Sequence, residues 1–254
     1  MFFLMLRCIL RSQIDFFFSF TKQHNGAKFC FQADGHQLAK EFDSHPKHNL
    51  YLQGLAFEKS QNFSLARDFY ELAREGPTQH PSACARLWDF FQFGRPGIPL
   101  NFDRAYNCAK SGARSSCAHC TGALSLHMAF GWGMSAQDRC SGIEKIDVPQ
   151  AVRLATASAQ KDSAYGHYAL ATFYFGGIGV VQSDKKMFSM YSKAALQGLG
   201  RAKLALGSCF MHWIGVHMNL RLAAMHFEDA STSGVLGAAL LLHNVLDRSD
   251  EQLN

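Results

Sequence analysis

Charge is scarce in this 254-residue sequence: Asp, Glu, Lys and Arg make up 18% of it, against roughly 25% in ordinary soluble domains. The net charge is +5, yet the basic residues are scattered and form no run. A nucleic-acid footprint needs a basic stripe or patch, so that class of partner is excluded. The motifs of catalysis also lack their companions. Ser183-Asp-Lys-Lys186 fits Ser-x-x-Lys, but no Ser-Asp-Asn or Lys-Thr-Gly element accompanies it. Gly176-Gly-Ile-Gly179 follows a helical pattern rather than a strand and has no Gly-Lys-Ser/Thr, so it is not a phosphate loop. Cys117-Ala-His-Cys120 is a single CxxC, whereas a structural zinc site takes four ligands, usually as two pairs. His212 and His217 are five apart rather than four, and His45 and His48 flank Pro46 in a linker. No catalytic, cofactor-binding or metal-ligating residue is assigned.

What is present is apolar. Hydrophobic residues make up 48% of the chain, with 22 Phe, ample for a core and suggestive of a surface partly covered by a partner or membrane. The first residues, Met1 to Arg11, are apolar but interrupted by Arg7 and Arg11. That is too short and too charged for a membrane span, and the charges fall in the wrong place for a secretory signal. The stretch reads first as a docking segment and second as a mitochondrial presequence. Membrane association has no further support, and the compartment is cytoplasmic by default, mitochondrial second. Asn62-Phe-Ser64 is a glycosylation sequon at an expected turn.

A glycine recurs near helix ends. Gly76 and Gly112 are 36 apart, Gly198 and Gly234 are 36 apart, and Asp162 lies 36 before Gly198. A period in this range signals stacked repeats, in which each unit buries its apolar face only against its neighbours. The clearest repeat, Ser163 to Gly198, reads as a helix with Tyr168, Ala171, Phe173 and Tyr174 on one face, then the glycine turn 176–179. A second helix follows from Asp184, capped by Ser183, in which Ala194 and Ala195 permit close approach. Leu170 and Leu206, Tyr174 and Phe210, Gly179 and Gly215, and Tyr191 and Phe227 each repeat at 36.

The leucine-small pair of the first helix, the Gly-x-Gly-Val turn and the Tyr-x-Lys-Ala-Ala-x-x-Gly ending at Gly198 resemble the Sel-one-like repeat family, relatives of the tetratricopeptide repeat. The resemblance covers about 48–246. It implies an all-α fold, an α/α solenoid of helix-turn-helix units wound as a right-handed superhelix. The expected units are 48–76, 77–112, 113–162, 163–198 and 199–234, a cap 235–246 and a tail 247–254, with 1–47 outside the repeats. Gly76, Gly112, Gly198 and Gly234 would mark the junctions. The third unit holds 14 extra residues, four before Leu124 and ten between Gly133 and Ala151, so a loop is expected over Met134 to Val148. Cysteine-rich members of the family bridge across a repeat junction, which implies a disulfide between Cys108 and Cys117; free buried thiols are the default otherwise.

By that resemblance the function is a non-enzymatic scaffold or adaptor whose concave face binds a peptide or protein partner, without a cofactor. The alternative is a thiol/disulfide or metallo-cofactor assembly factor, mitochondrial or secretory. Phe93, Trp132 and Trp213 are candidate aromatic anchors that sequence does not separate from core residues.

Overall fold

The computed structural model describes residues 45–133 and 146–251. The apolar N-terminus, Cys8, Cys30, Cys140 and most of the expected loop from Met134 lie outside the described residues. Among the described residues there are eleven helices and no strand: α1 (His48–Lys59), α2 (Phe63–Arg74), α3 (Pro81–Phe93), α4 (Phe102–Arg114), α5 (Ala118–Phe130), α6 (Val148–Gln160), α7 (Ala164–Gly176), α8 (Asp184–Leu196), α9 (Gly200–His212), α10 (Leu220–Thr232) and α11 (Ala238–Glu251). Every helix packs on the next in the series, and first helices of neighbouring repeats also meet, α3 on α5 and α5 on α7. The fold is an all-α solenoid of five helical hairpins with α11 as the terminal helix.

Each second helix starts on a side-chain cap. Asn62, Asn101, Asp147, Ser183 and Asn219 accept from the backbone N–H three residues on, at 3.3, 2.9, 2.7, 3.3 and 2.9 Å. Such a cap satisfies one otherwise orphaned donor and contributes about 1 kcal/mol. Ser183 is therefore a cap, and its apparent Ser-x-x-Lys partner Lys186 places its ammonium 5.3 Å from the Tyr174 ring centroid.

Within a hairpin, side-chain sizes are complementary. A Cβ on Gly54 would lie 2.4 Å from Tyr70, and one on Gly207 would lie 2.6 Å from Phe227. In the same register of the second hairpin the sizes are exchanged, with Trp88 on the first helix and Ala109 on the second, both fully buried. Between hairpins, a row of small residues faces the next repeat: Ala73, Gly112, Ser158, Ala194 and Ala230, all buried. Ala194 makes the close approach, whereas Ala195 is only half-buried.

This row corrects the reading of Gly112. It sits inside α4, and a Cβ there would meet Cys120 Sγ at 2.2 Å and Cys84 Cβ at 3.0 Å. The junction residue of that repeat is Ser116, at φ +61°. The junctions are thus Gly76 (φ +72°), Ser116, Asp162 (φ +54°), Gly198 (φ +86°) and Gly234 (φ +66°), all left-handed. Asp162 takes the glycine place as its spacing implied. The 36-residue interval between Gly76 and Gly112 joins two different roles, and the four extra residues belong before Ser116, in the second repeat.

The stacking itself rests on the hairpin turns. Gly133, Gly179 and Gly215 have φ of +66°, +64° and +72°. A Cβ on them would fall 2.0 Å from the Phe102 carbonyl oxygen, 2.6 Å from Val148 Cγ1 and 2.5 Å from the Asp184 carbonyl oxygen. Phe102, Val148 and Asp184 are each the first residue of the preceding repeat's second helix. Gly215→Ala should therefore cost both the left-handed penalty and the clash, about 2–4 kcal/mol in all. Gly97→Ala, at φ +78° with nothing within 4 Å of the added carbon, should cost only about 1 kcal/mol. Denaturant unfolding of both variants checks this, and equal losses would sink the close-approach argument.

Candidate functional site

Three helices from different repeats converge on one cleft, lined by Arg86 and Asp89 of α3, Arg95 after it, Tyr165 of α7, and Leu199, Gly200 and Arg201 at the start of α9. Its interior has room for about one water-sized group. The charged side chains around it are almost wholly buried. Arg86 Nε donates to Glu58 Oε2 at 3.0 Å and its Nη2 donates to Oε1, while the Tyr70 hydroxyl donates to Glu58 at 2.7 Å. Arg95 pairs with Asp89 and donates to the Gly94 carbonyl at 3.0 Å. Arg201 lies flat on Phe93, with its Cζ 3.3 Å from the ring centroid. This last contact ties the second repeat to the fifth across the inside of the stack. Two buried ion pairs and a cation–π contact thus lie together where the second and fifth repeats meet.

The electrostatics follow from burial. Loss of water works against the charge of Arg86, but Glu58 and its neighbours outweigh it and hold the guanidinium pKa well above the usual value. Around Arg201 burial dominates; Asp89 opposes it and Arg95 adds to it, and the pKa falls to about 10. Desolvation, followed by the nearby Glu58 carboxylate, pushes the Tyr70 phenol far up.

Deeper in, the Trp88 indole Nε1–H donates to His127 Nε2 at 2.8 Å, and His127 Nδ1 lies 2.7 Å from the Trp132 carbonyl oxygen. These partners assign the proton to Nδ1. Trp132 itself is half-buried and stacked on Phe130 at 4.5 Å.

Four thiols gather at the second junction. Cys84 of α3, Cys117 at the N-cap of α5 and Cys120 of α5 pack together, and Cys108 of α4 is buried in the main core. Both residues of the bridge implied by the family resemblance, Cys108 and Cys117, are buried. Cys108 lies well inside α4 while Cys117 opens α5 and packs on Cys84 and Cys120. Burial pushes Cys84 and Cys108 up to about 12, which disfavours the nucleophilic thiolate. Among the described residues no group of three or more His, Cys, Asp or Glu could hold a metal ion, and no helix is long and apolar enough to cross a membrane.

On the outer edge, Gly94, Gly131, Gly177 and Trp213 follow the first helices of four successive hairpins, with φ of +73°, +70°, +63° and +62°. Trp213 stands where the other three have glycine, and it is 66% exposed. Of the three candidate anchors, Phe93 and Trp132 pack inward and Trp213 points to solvent. Asn62 of the sequon is exposed while its side chain caps α2.

Sequence reading missed Arg86, Asp89, Arg95 and Arg201. The available signal was Arg86, Asp89 and Gln92 at three-residue spacing within the apolar helix α3, a buried polar stripe.

No family model matches the chain, and no curated protein matches it. The solved structures to which it is similar include three repeat proteins of bacteria. A Sel1 repeat protein from Oxalobacter formigenes is 26% identical over 50% of this chain and 90% of that one, with a TM-score of 0.41. A protective antigen of uropathogenic Escherichia coli strains, displaying an SLR fold, is 22% identical over 84% of this chain with a TM-score of 0.44; the chain spans 44% of its length. A putative Sel1 repeat protein from Klebsiella pneumoniae subsp. pneumoniae is 14% identical over 83% of this chain and 98% of that one, with a TM-score of 0.48. The description of this chain as a stack of helical hairpins stands on its own rows of caps, turns and small residues.

The neutral His127 ring gives a pH dependence. Burial lowers its pKa to about 4 against the opposing bond to the Trp132 carbonyl, whereas the unfolded ring titrates near 6.5. Below 6.5 the unfolded state takes up the proton first. This contribution is thus complete above pH 6.5 and is lost as pH falls toward 4, on the order of 3 kcal/mol in total. Urea midpoints should drop between pH 7 and 5, while the His127 ring resonances of the folded protein stay at their neutral positions.

Proposed function

We propose that this chain is a non-enzymatic protein-interaction scaffold that engages its partner through the turn edge of its last two repeats, with Trp213 as the anchor. The observation that carries this reading is Trp213 itself. A bulky residue in the left-handed region costs about 1–2 kcal/mol, and this one does not recover the cost by burial, since the ring is 66% exposed. Strain retained at an exposed aromatic suits a binding anchor, because Trp is enriched where interfaces concentrate their energy. Val181 (88% exposed) and Met218 (51%) lie in the same row of turns. Those turns are adjacent, since Gly215 rests on Asp184.

Trp213→Gly separates binding from folding. It should raise stability by about 1 kcal/mol in thermal or denaturant unfolding while abolishing capture of the proteins that the wild type retains from its native cell extract. Unchanged capture would remove Trp213 as the anchor.

The thiol-dependent reading keeps one supporting observation, the gathering of Cys84, Cys117 and Cys120 beside Gly112. Its test is alkylation followed by mass spectrometry without reductant. Under the scaffold reading, Cys84, Cys108, Cys117, Cys120 and Cys209 are alkylated only after denaturation, and then fully. A persistent bridge among them in protein isolated from its cell would favour the thiol-dependent alternative.

A further inference from the structure

We propose that the apolar N-terminal segment of this chain, Phe2 to Phe20, docks on the outer face of α2 and closes the open end of the stack. This contact belongs to the first repeat, whereas Trp213 belongs to the fifth, so it does not depend on the anchor reading.

The second helices of the hairpins share one register, counted from their caps at Asn62, Asn101, Asp147, Ser183 and Asn219. Positions three, seven and ten residues after the cap lie on one face of the helix. In α4 they are Arg104, Cys108 and Ser111, and this face meets the preceding repeat. Arg104 pairs with Glu71 of α2, Cys108 is buried, and the Ser111 hydroxyl donates to Gln79 between α2 and α3. In α2 the same positions are Leu65, Phe69 and Leu72. Leu65 and Leu72 are exposed and Phe69 is half-buried. Among the described residues no helix precedes α1 to cover them. Phe57 of α1 stacks on Phe69 with ring centroids 5.2 Å apart, so the patch continues across the hairpin.

Composition sets this face apart. The equivalent residues are Gln150, Leu154 and Ala157 in α6, Lys186, Met190 and Lys193 in α8, and Leu222, His226 and Asp229 in α10. Each of those sets mixes polar and apolar side chains, whereas α2 carries three large apolar ones. The end of a solenoid needs a polar outer surface or a cap, and this stripe of α2 offers no polar surface.

The sequence before α1 supplies the occupant. Residues 1–44 lead directly into the helix that pairs with α2, so the segment is tethered to the hairpin whose face stands open. A tether raises local concentration to the order of millimolar when its length can span the sites. The stretch 21–44 can span α2, a 12-residue helix about 18 Å long. Within Phe2 to Phe20, Arg7, Arg11, Asp15 and Ser19 recur every four residues. Phe3, Leu6, Leu10 and Phe17 follow helical spacing on the opposite side. That pattern gives one polar stripe for water and one apolar stripe to bury.

Hydrogen exchange of the full chain, read by mass spectrometry over a range of protein concentrations, tests the contact. Amides within Phe2 to Phe20 should exchange at least tenfold more slowly in the wild type than in the Leu65→Asp/Leu72→Asp variant. Exchange in α7 to α10 should be the same in both, which shows that the solenoid remains folded. The reciprocal variant, Leu6→Asp/Leu10→Asp, leaves the hairpin intact and should speed exchange within α2 at least threefold. Unprotected amides in Phe2 to Phe20 of the wild type overturn the proposal, as does protection that survives Leu65→Asp/Leu72→Asp. Protection that appears only at concentrations where sedimentation shows a dimer assigns the face to a second copy instead. If Leu65→Asp/Leu72→Asp unfolds the chain, the reciprocal variant decides, and unchanged exchange in α2 overturns the contact.

Discussion

The close seat of each hairpin turn on the helix before it is the constraint that the rest of this molecule depends on. Gly133, Gly179 and Gly215 lie in left-handed conformations against the first residues of α4, α6 and α8. A side chain there would push successive hairpins apart. Because the turn touches the capped end of the preceding helix, the caps at Asn101, Asp147 and Ser183 do two things. They satisfy the helix start, and they hold the platform on which the next repeat rests. The row of small residues from Ala73 to Ala230 then brings the other end of each hairpin to the same spacing. A solenoid built this way has stability that is local and repeated, so loss of one seat weakens one interface and leaves the others standing.

That winding carries the second repeat round to the fifth. Arg201 reaches Phe93, beside the buried ion pairs Arg86–Glu58 and Arg95–Asp89. Buried ion pairs seldom add net stability. Their value here is orientation: Glu58, Arg86, Asp89 and Arg95 lock α1, α3 and the following turn into one arrangement. The outer edge has the opposite character. Val181, Trp213 and Met218 stand exposed there, and Trp213 is held in the left-handed region, as Gln61 is in the first hairpin turn.

Much of this was legible in the chain. The hairpins, the role of Ser183 and the standing of Asp162 in a glycine place all follow from residue types whose backbone preferences are intrinsic. Gly112 shows where such reasoning stops. Its spacing from Gly76 copies the repeat, yet it is a helix-interior residue pressed against Cys120, and Ser116 makes the turn one helical turn later. Glycine serves both a positive φ and a close contact, and a one-dimensional period does not tell them apart.

The sequence by itself determined the class of fold, the number of hairpins and their caps, because helix periodicity, capping and turn chemistry act over a few residues. Only the tertiary structure decided that Trp213 alone of the three candidate aromatics faces water, and that Arg201 of the fifth repeat joins Arg86, Asp89 and Arg95 of the second around one cleft. Those outcomes depend on the angle at which one hairpin seats on the next. Small changes at each seat add up over four junctions, and no local pattern of residues records their sum.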